Sequence, residues 1–203
     1  MERKELCDRF LERLPFQTIE IKNKSFYTLG FGQDGYVWIV KKGLLISFRY
    51  SEDGKNQGIS LWDENSLMGV GGLNRESRFI NCYSVGKTVL GFTPAREALA
   101  LLKQDNELCY EFMLYVGRCL VESYDDMEIN TLGKLEDKIL AFEKKLATKK
   151  LPNDASLSEV VMAMAIGAHP ASVSRTKRLM NQAKREGEKP GGAAEKGAGE
   201  GIA

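Results

Sequence analysis

The chain has 203 residues, 43% of them hydrophobic and 28% charged, with a net charge of +1. That is the make-up of one or two ordinary globular domains, long enough to bury a core. No apolar stretch approaches the roughly 20 residues that span a bilayer, and the opening "MERKELCDRF" mixes too many charges for a secretory leader, so a cytoplasmic protein with no membrane partner is expected. Cys7, Cys82, Cys109 and Cys119 lack CxxC pairing and zinc-like spacing. His169 is the one histidine, which leaves nothing for a histidine dyad and nothing in residues 1 to 168 for the metal cage of a cupin-type enzyme. GxSxG, Walker and Rossmann fingerprints are absent. We therefore expect no catalytic residues, no metal and no cofactor, and the near-neutral total confines any nucleic-acid site to a local patch.

Residues 2 to 14 place Leu6, Phe10 and Leu14 at a spacing of four, which predicts a short amphipathic helix ended by Pro15. From Phe16 to about Thr93, short β-branched and aromatic runs ("TIEI", "YVWIV", "LLISFRY", "GISLW", "INCYSV", "TVLGFT") alternate with turn signals such as "KKG" and "SEDGKNQG". This texture predicts an antiparallel β-roll or jelly roll, with a hairpin at "SEDG" because Asp-Gly accepts positive φ. Thr93 is the expected cap, and Pro94 the first residue, of the helix "PAREALALLKQ".

A longer helix is predicted from about Asn106 to Ile129. On it Cys109, Met113, Val116, Leu120, Ser123 and Met127 recur at alternating spacings of four and three, the seam of a helix paired with another helix. Packing on the chain's own β domain is the other use of such a stripe. Leu135, Ile139, Phe142 and Leu146 mark a further helix over Leu132 to Lys149, broken by "LPND". Two helices then flank a tight turn at Gly167. Beyond Gly187 the sequence turns to Gly, Ala, Glu and Lys, with too little apolar content to offset ordering entropy.

The stretch around Gly167 has the parts of a helix-turn-helix. Met162 and Ile166 are apolar, Ala163 is small where two helices would cross, and Val173 is the anchor of the second helix. Pro170 presets that helix's first turn. Ala171, Ser174, Arg175 and Arg178 fall opposite Val173, and small, hydroxyl and basic side chains are what a groove-reading face uses. Between Pro170 and Lys189 six Lys or Arg (Arg175, Lys177, Arg178, Lys184, Arg185, Lys189) face Glu186 and Glu188, a local balance of +4 in a chain of +1. His169 is read as a partial cap, the alternative being a contact to a phosphate or base.

The order of parts resembles the Crp/Fnr family of bacterial transcription regulators over residues 16 to 187. "FGQDGYVWIVKKGLLISF" is similar to the family's strand–turn–strand stretch, "ENSLMGVGGL" stands at its phosphate-binding turn, and "ASVSR" is similar to its recognition-helix core. The resemblance implies an α+β protein: a β-roll over 1–94, a dimerisation helix over 95–130 and a helix-turn-helix domain over 131–187; composition adds a disordered tail over 188–203. It implies a homodimer on a palindromic double-stranded operator, with RNA polymerase as a further partner. His169, Pro170, Ala171, Ser172, Ser174, Arg175 and Arg178 would contact DNA.

The resemblance also places an effector between the β-roll and the long helix, against Met68, Gly69, Val70, Gly71, Leu73, Ile80, Asn81, Tyr83, Ser123, Tyr124 and Met127. Cyclic-nucleotide binders of the family carry a Glu where Val70 stands and an Arg-Ser pair where Ile80 and Asn81 stand. A buried phosphate without a charge partner is costly, so a small organic effector is expected instead of a cyclic nucleotide. The mostly apolar lining also fits plain core packing. Cys7 alone cannot make the family's iron–sulfur cluster. The family's β-hairpin wing has no counterpart in "EKPGGAAEKGAGEGIA". A ligand-binding sensory or adaptor dimer with weakened or lost DNA binding is therefore the alternative function.

Overall fold

A computed structural model of the chain describes residues 2–31, 35–50, 56–69, 73, 78–153 and 157–187. The expected tail at 188–203, the loop of the "SEDG" hairpin, Val70 and Gly71 lie outside the described residues. The elements run α1 (Arg3–Arg13), β1 (Gln17–Ile21), β2 (Phe26–Phe31), β3 (Tyr36–Tyr50), β4 (Asn56–Asp63), β5 (Leu67–Met68), β6 (Arg78–Pro94), α2 (Ala95–Gln104), α3 (Asn106–Thr131), α4 (Leu135–Ala147), α5 (Glu159–Ala165) and α6 (Pro170–Gly187).

Two strands organise the roll. β3 and β6 pair antiparallel along almost their full length, from Tyr36 opposite Pro94 to Phe48 opposite Asn81. β1 takes the Thr88–Phe92 part of β6 and β2 its Arg78–Tyr83 part. β4 and β5 divide β3 in the same way. One sheet thus folds into two halves.

"KKG" is therefore not a turn between strands, as its composition suggests, but a bend inside a continuous strand, and "VGK" is a second such bend in β6. Gly43 has φ +98, and the register with β6 shifts on either side of Lys42. A Cβ at Gly43 would lie 2.6 Å from Thr88 Oγ1 and 2.8 Å from the Lys87 carbonyl, so only glycine fits the bend. Ser84 clamps it from the other strand, its hydroxyl donating to the Gly86 carbonyl (2.6 Å) and lying 2.8 Å from Thr88 Oγ1.

The alternation along each strand separates three apolar clusters. Ile21, Leu29, Trp38, Val40, Leu45, Met68, Cys82 and Leu90 fill the roll interior. Val37, Ile39 and Leu67 point the other way and pack on Leu6 and Phe10 of α1, Ala98 and Leu102 of α2, and Leu108 and Phe112 of α3. Leu44, Ile46, Phe48, Leu61, Tyr83 and Val85 meet Ile139, Phe142, Val161, Met162, Ile166 and Val173 of α4, α5 and α6. Strands buried on both faces read as near-continuous apolar runs, which explains "YVWIV" and "LLISF".

The expected start of α2 shifts. β6 runs through Pro94, Pro94 takes the cap position, and the buried Thr93 hydroxyl has no hydrogen-bond partner among the described residues. Thr93 remains strand because it pairs with Val37.

The turn into α3 is set by charge. Asp105 caps α3, its Oδ1 accepting from the Leu108 amide at 2.8 Å, and its Oδ2 holds Arg13 and Arg9 of α1, the latter at 3.2 Å. The Leu108 N–H, then Arg13 and Arg9, hold the Asp105 carboxyl below its ordinary range. A carboxylate depressed in the folded state contributes stability above its unfolded value, near pH 3.9, and loses that contribution as pH falls through the lower folded value. Asp105→Asn should flatten the acid limb of the pH–stability curve below about pH 4, measured by thermal melts from pH 7 to 2; an unchanged limb would show that Asp105 carries none of it.

Candidate nucleic-acid interface

α5 begins on Ser158, whose hydroxyl accepts from the Val161 amide at 3.3 Å, and ends at Ile166. Gly167 has φ +63, and the Ala168 amide donates to the Ala163 carbonyl at 2.8 Å, closing the turn with the left-handed residue that glycine supplies. His169 then starts α6: its carbonyl accepts from the Ser172 and Val173 amides, and its Nδ1 accepts from the Ala171 amide at 3.3 Å. Val173 is 0% exposed, with Ala163 and Ile166 equally sealed in the same cluster.

The opposite face of α6 is open. His169, Ala171, Ser172, Ser174, Arg175 and Arg178 are exposed and Pro170 is half-buried. Lys177 is turned back to Glu143 of α4 at 2.8 Å. Arg175 and Arg178 make no ion pair among the described residues, so their charge is directed outward. Six of the seven residues expected at DNA therefore share one accessible surface, with Pro170 at its edge.

The long helix has two faces. Leu108, Phe112 and Tyr115 are buried against the chain, while Met113, Val116, Leu120, Tyr124 and Met127 are exposed, Met113 at 66% and Leu120 at 56%. A Cβ at Gly117 would meet nothing within 4 Å. Of the expected seam, Cys109 and Ser123 stand at its border: Cys109 packs beside the α1–α3 cluster, and the Ser123 hydroxyl donates to the Cys119 carbonyl at 2.8 Å. Tyr124 and Gly117 lie in the exposed strip, where the four-and-three pattern pointed to their neighbours.

The residues expected around an effector are dispersed. Met68 is in the roll interior, with Ile80 packed at its edge. Tyr83 lies in the cluster under the helix-turn-helix, stacked edge-on against Phe26, and burial pushes its hydroxyl pKa up. Asn81 Oδ1 accepts from the Thr28 hydroxyl at 2.7 Å. Gly69 has φ +88 with Phe31 pressed against it. Leu73 borders an open groove with Leu102, Phe112 and Met113. Tyr124 and Met127 are exposed and Ser123 is half-buried.

Three lysines after the middle of α4 tie the helix-turn-helix to the rest. Lys145 pairs with Asp126 of α3, which also accepts from the Ser60 hydroxyl of β4 at 2.9 Å. Lys149 stands 3.9 Å from Asp63, and Lys150 pairs with Glu64 at 2.5 Å. Sequence spacing gave no sign of these ties, because their partners are distant in the chain and ordinary surface charges by composition.

No family model and no curated protein matches the sequence. Solved structures do match its shape. FixK2 from Bradyrhizobium japonicum superimposes with a TM-score of 0.67 at 15% identity, covering 84% of this chain and 87% of that one. The c-di-GMP responsive global regulator CLP of Xanthomonas campestris also gives 0.67 at 15% identity, over 88% and 92%. TTHA1359, a CRP/FNR-family transcriptional regulator from Thermus thermophilus, gives 0.61 at 18% identity, over 84% and 87%. Among the described residues no helix is long and apolar enough to cross a membrane.

Val173 links the turn to the shared core, so Val173→Ala should lower stability by about 2 kcal/mol, measured by urea unfolding. A change below about 0.5 kcal/mol would show that the anchor is dispensable. The fold of this chain is that of the CRP/FNR-family transcriptional regulators.

Proposed function

We propose that the protein is a homodimeric, sequence-specific DNA-binding transcriptional regulator, acting through allostery and not through catalysis. The observation that carries this reading is the division of α6. Val173 is sealed at 0% exposure, while Ser172, Ser174, Arg175 and Arg178 lie exposed, the two arginines with no competing carboxylate among the described residues. Hydroxyls and Arg at the first turns of a helix match base edges, and the remaining basic residues match phosphates.

The dimer reading draws support from the strip on α3. An exposed row of Met113, Val116, Leu120, Tyr124 and Met127 is a large apolar surface on a helix, and Gly117 within it permits close approach of a second backbone. Two copies of α3 side by side would set two recognition helices about 34 Å apart, one turn of DNA. The effector reading places a small organic molecule, not a cyclic nucleotide, between the roll and α3. Ile80 and Asn81 bring no positive charge to a cyclic phosphate, and Asn81 is already engaged by Thr28.

The test is binding to the promoter of its own gene, by mobility shift or anisotropy at two salt concentrations. Arg175→Ala should weaken the specific complex about tenfold or more, one bidentate base contact being worth about 1–3 kcal/mol, while leaving non-specific binding nearly unchanged. Binding without sequence preference and indifferent to Arg175→Ala would overturn specific recognition and leave a sensory or adaptor dimer. Leu120→Glu buries a charge in the proposed seam. It should convert dimer to monomer in sedimentation velocity, and a dimer that persists would overturn the α3 interface.

A further inference from the structure

The flank of α3 away from the exposed strip borders a cavity of about 180 Å³, walled by Arg3 of α1, Trp62 of β4, and Tyr115, Arg118, Cys119 and Glu122 of α3. It lies beside the β4–β5 turn and draws on none of the residues expected around an effector. Most of its polar groups are committed. The Arg3 guanidinium donates to Ser66 Oγ at 3.3 Å and the Glu64 carbonyl at 3.2 Å, and stands 2.9 Å from Asp63. The Tyr115 hydroxyl accepts from the Leu67 amide and donates to the Leu67 carbonyl. The Trp62 indole donates to Ser47 Oγ at 2.9 Å.

Arg118 is different. It makes no ion pair and no hydrogen bond among the described residues. Burial and then the Glu122 charge raise the pKa of the Cys119 thiol, while Tyr115 and the charges of Arg3 and Arg118 act against them, which places both guanidiniums within electrostatic reach of the cavity floor. A second, independent feature lies next to it. The Lys149 side chain is nine-tenths buried, yet its ammonium is 3.8 Å from Glu122 and 3.9 Å from Asp63, beyond hydrogen-bond distance of either. The local charges are Arg3, Arg118 and Lys149 against Asp63 and Glu122, one cation in excess.

We propose that this cavity binds a small aromatic monocarboxylate, its carboxylate on the Arg118 guanidinium and its ring against Trp62. The space suits a single ring: an apolar cavity of about 150 Å³ holds benzene. Arg presents a planar fork that pairs with a carboxylate through two parallel hydrogen bonds. Glu122 at the rim repels a second anionic group, which selects a monoanion over a dianion. The occupant is read out through Lys149, which follows α4 and faces Glu122 and Asp63. Neutralising Arg118 leaves Glu122 freer to draw Lys149, and with it the helix-turn-helix. This coupling rests on the regulator reading; the binding itself does not.

The test titrates the full chain with benzoate and with its neutral isostere benzamide, by calorimetry and by tryptophan fluorescence, Trp38 and Trp62 being the two tryptophans. Benzoate should bind saturably, on the order of millimolar as expected for so small a ligand. Benzamide should bind about tenfold more weakly, and so should benzoate to Arg118→Gln, a factor of ten being 1.4 kcal/mol. Arg118 is exposed, so thermal melts should show Arg118→Gln folded. Absence of saturable benzoate binding, equal binding of benzamide, or unchanged binding to folded Arg118→Gln would each overturn the site. In the promoter assay benzoate should shift the DNA Kd severalfold for the wild type and not for Arg118→Gln. Benzoate binding with no such shift would overturn the coupling. Benzoate binding to a protein that never binds DNA would overturn the regulator reading and leave the site standing.

Discussion

Everything in this chain depends on a sheet that is covered on both sides. β3 and β6 send alternate side chains into the roll and out of it, and the outward set is as apolar as the inward one. An outward row such as Leu44, Ile46 and Phe48 cannot face water at the usual burial gain of about 25 cal/mol per Å², so helices must lie on it. The bends at Gly43 and Gly86, both at positive φ, decide which helices go where. On one side of the bend the outer face takes α1, α2 and the start of α3; on the other it takes α4, α5 and α6.

The helix-turn-helix consequently has no core entirely its own. Val161, Met162, Ile166 and Val173 close against Leu44, Ile46, Phe48 and Leu61 of the roll. The face of α6 that carries Ser172, Ser174, Arg175 and Arg178 is left outward, so this contact orients the helix without covering it. A small helical unit short of apolar surface is marginal alone, and the roll supplies the missing half. The ion pairs of Lys145 and Lys150, with Lys149 between them, then fix the direction of α4 along that face. Apolar contact provides the adhesion and charge provides the register, because ion pairs restrict geometry more than they stabilise.

Local signals were readable in the sequence to the extent that they are local. Ala163, Gly167, Pro170 and Val173 announce the turn because each answers a backbone or packing demand within a few residues, and the spacing of Met113, Leu120 and Met127 announces a helix face for the same reason. The roll was legible as a class but not in its connections. "KKG" has the composition of a turn, and only the Thr88 hydroxyl and the Lys87 carbonyl of a distant strand, closing on Gly43, make it a bend instead. The Thr93 cap failed for a similar reason, since pairing with Val37 outweighs a local preference. Inward and outward apolar residues look alike in a one-dimensional string, so the string alone does not place Tyr83 in the cluster beneath the helix-turn-helix.

Long-range charge is the least legible layer and the one on which regulation would turn. Arg3 and Arg118, like Asp63 and Lys149, are ordinary surface charges until the fold brings α1, the β4–β5 turn and α3 together. Their meeting place is also where the three parts of the molecule share a boundary. Asp63 is held by Arg3 of α1 and approached by Lys149, which follows α4; Asp126 is held by Lys145 of α4 and Ser60 of β4. Asp126 lies on α3 between Tyr124 and Met127 of the exposed strip, so a rotation of α3 that repacks the strip must also move the carboxylate that holds α4. On the proposed reading, the α3 strip and the outward face of α6 are thereby joined through two carboxylates, Asp63 and Asp126, each shared between parts of the fold.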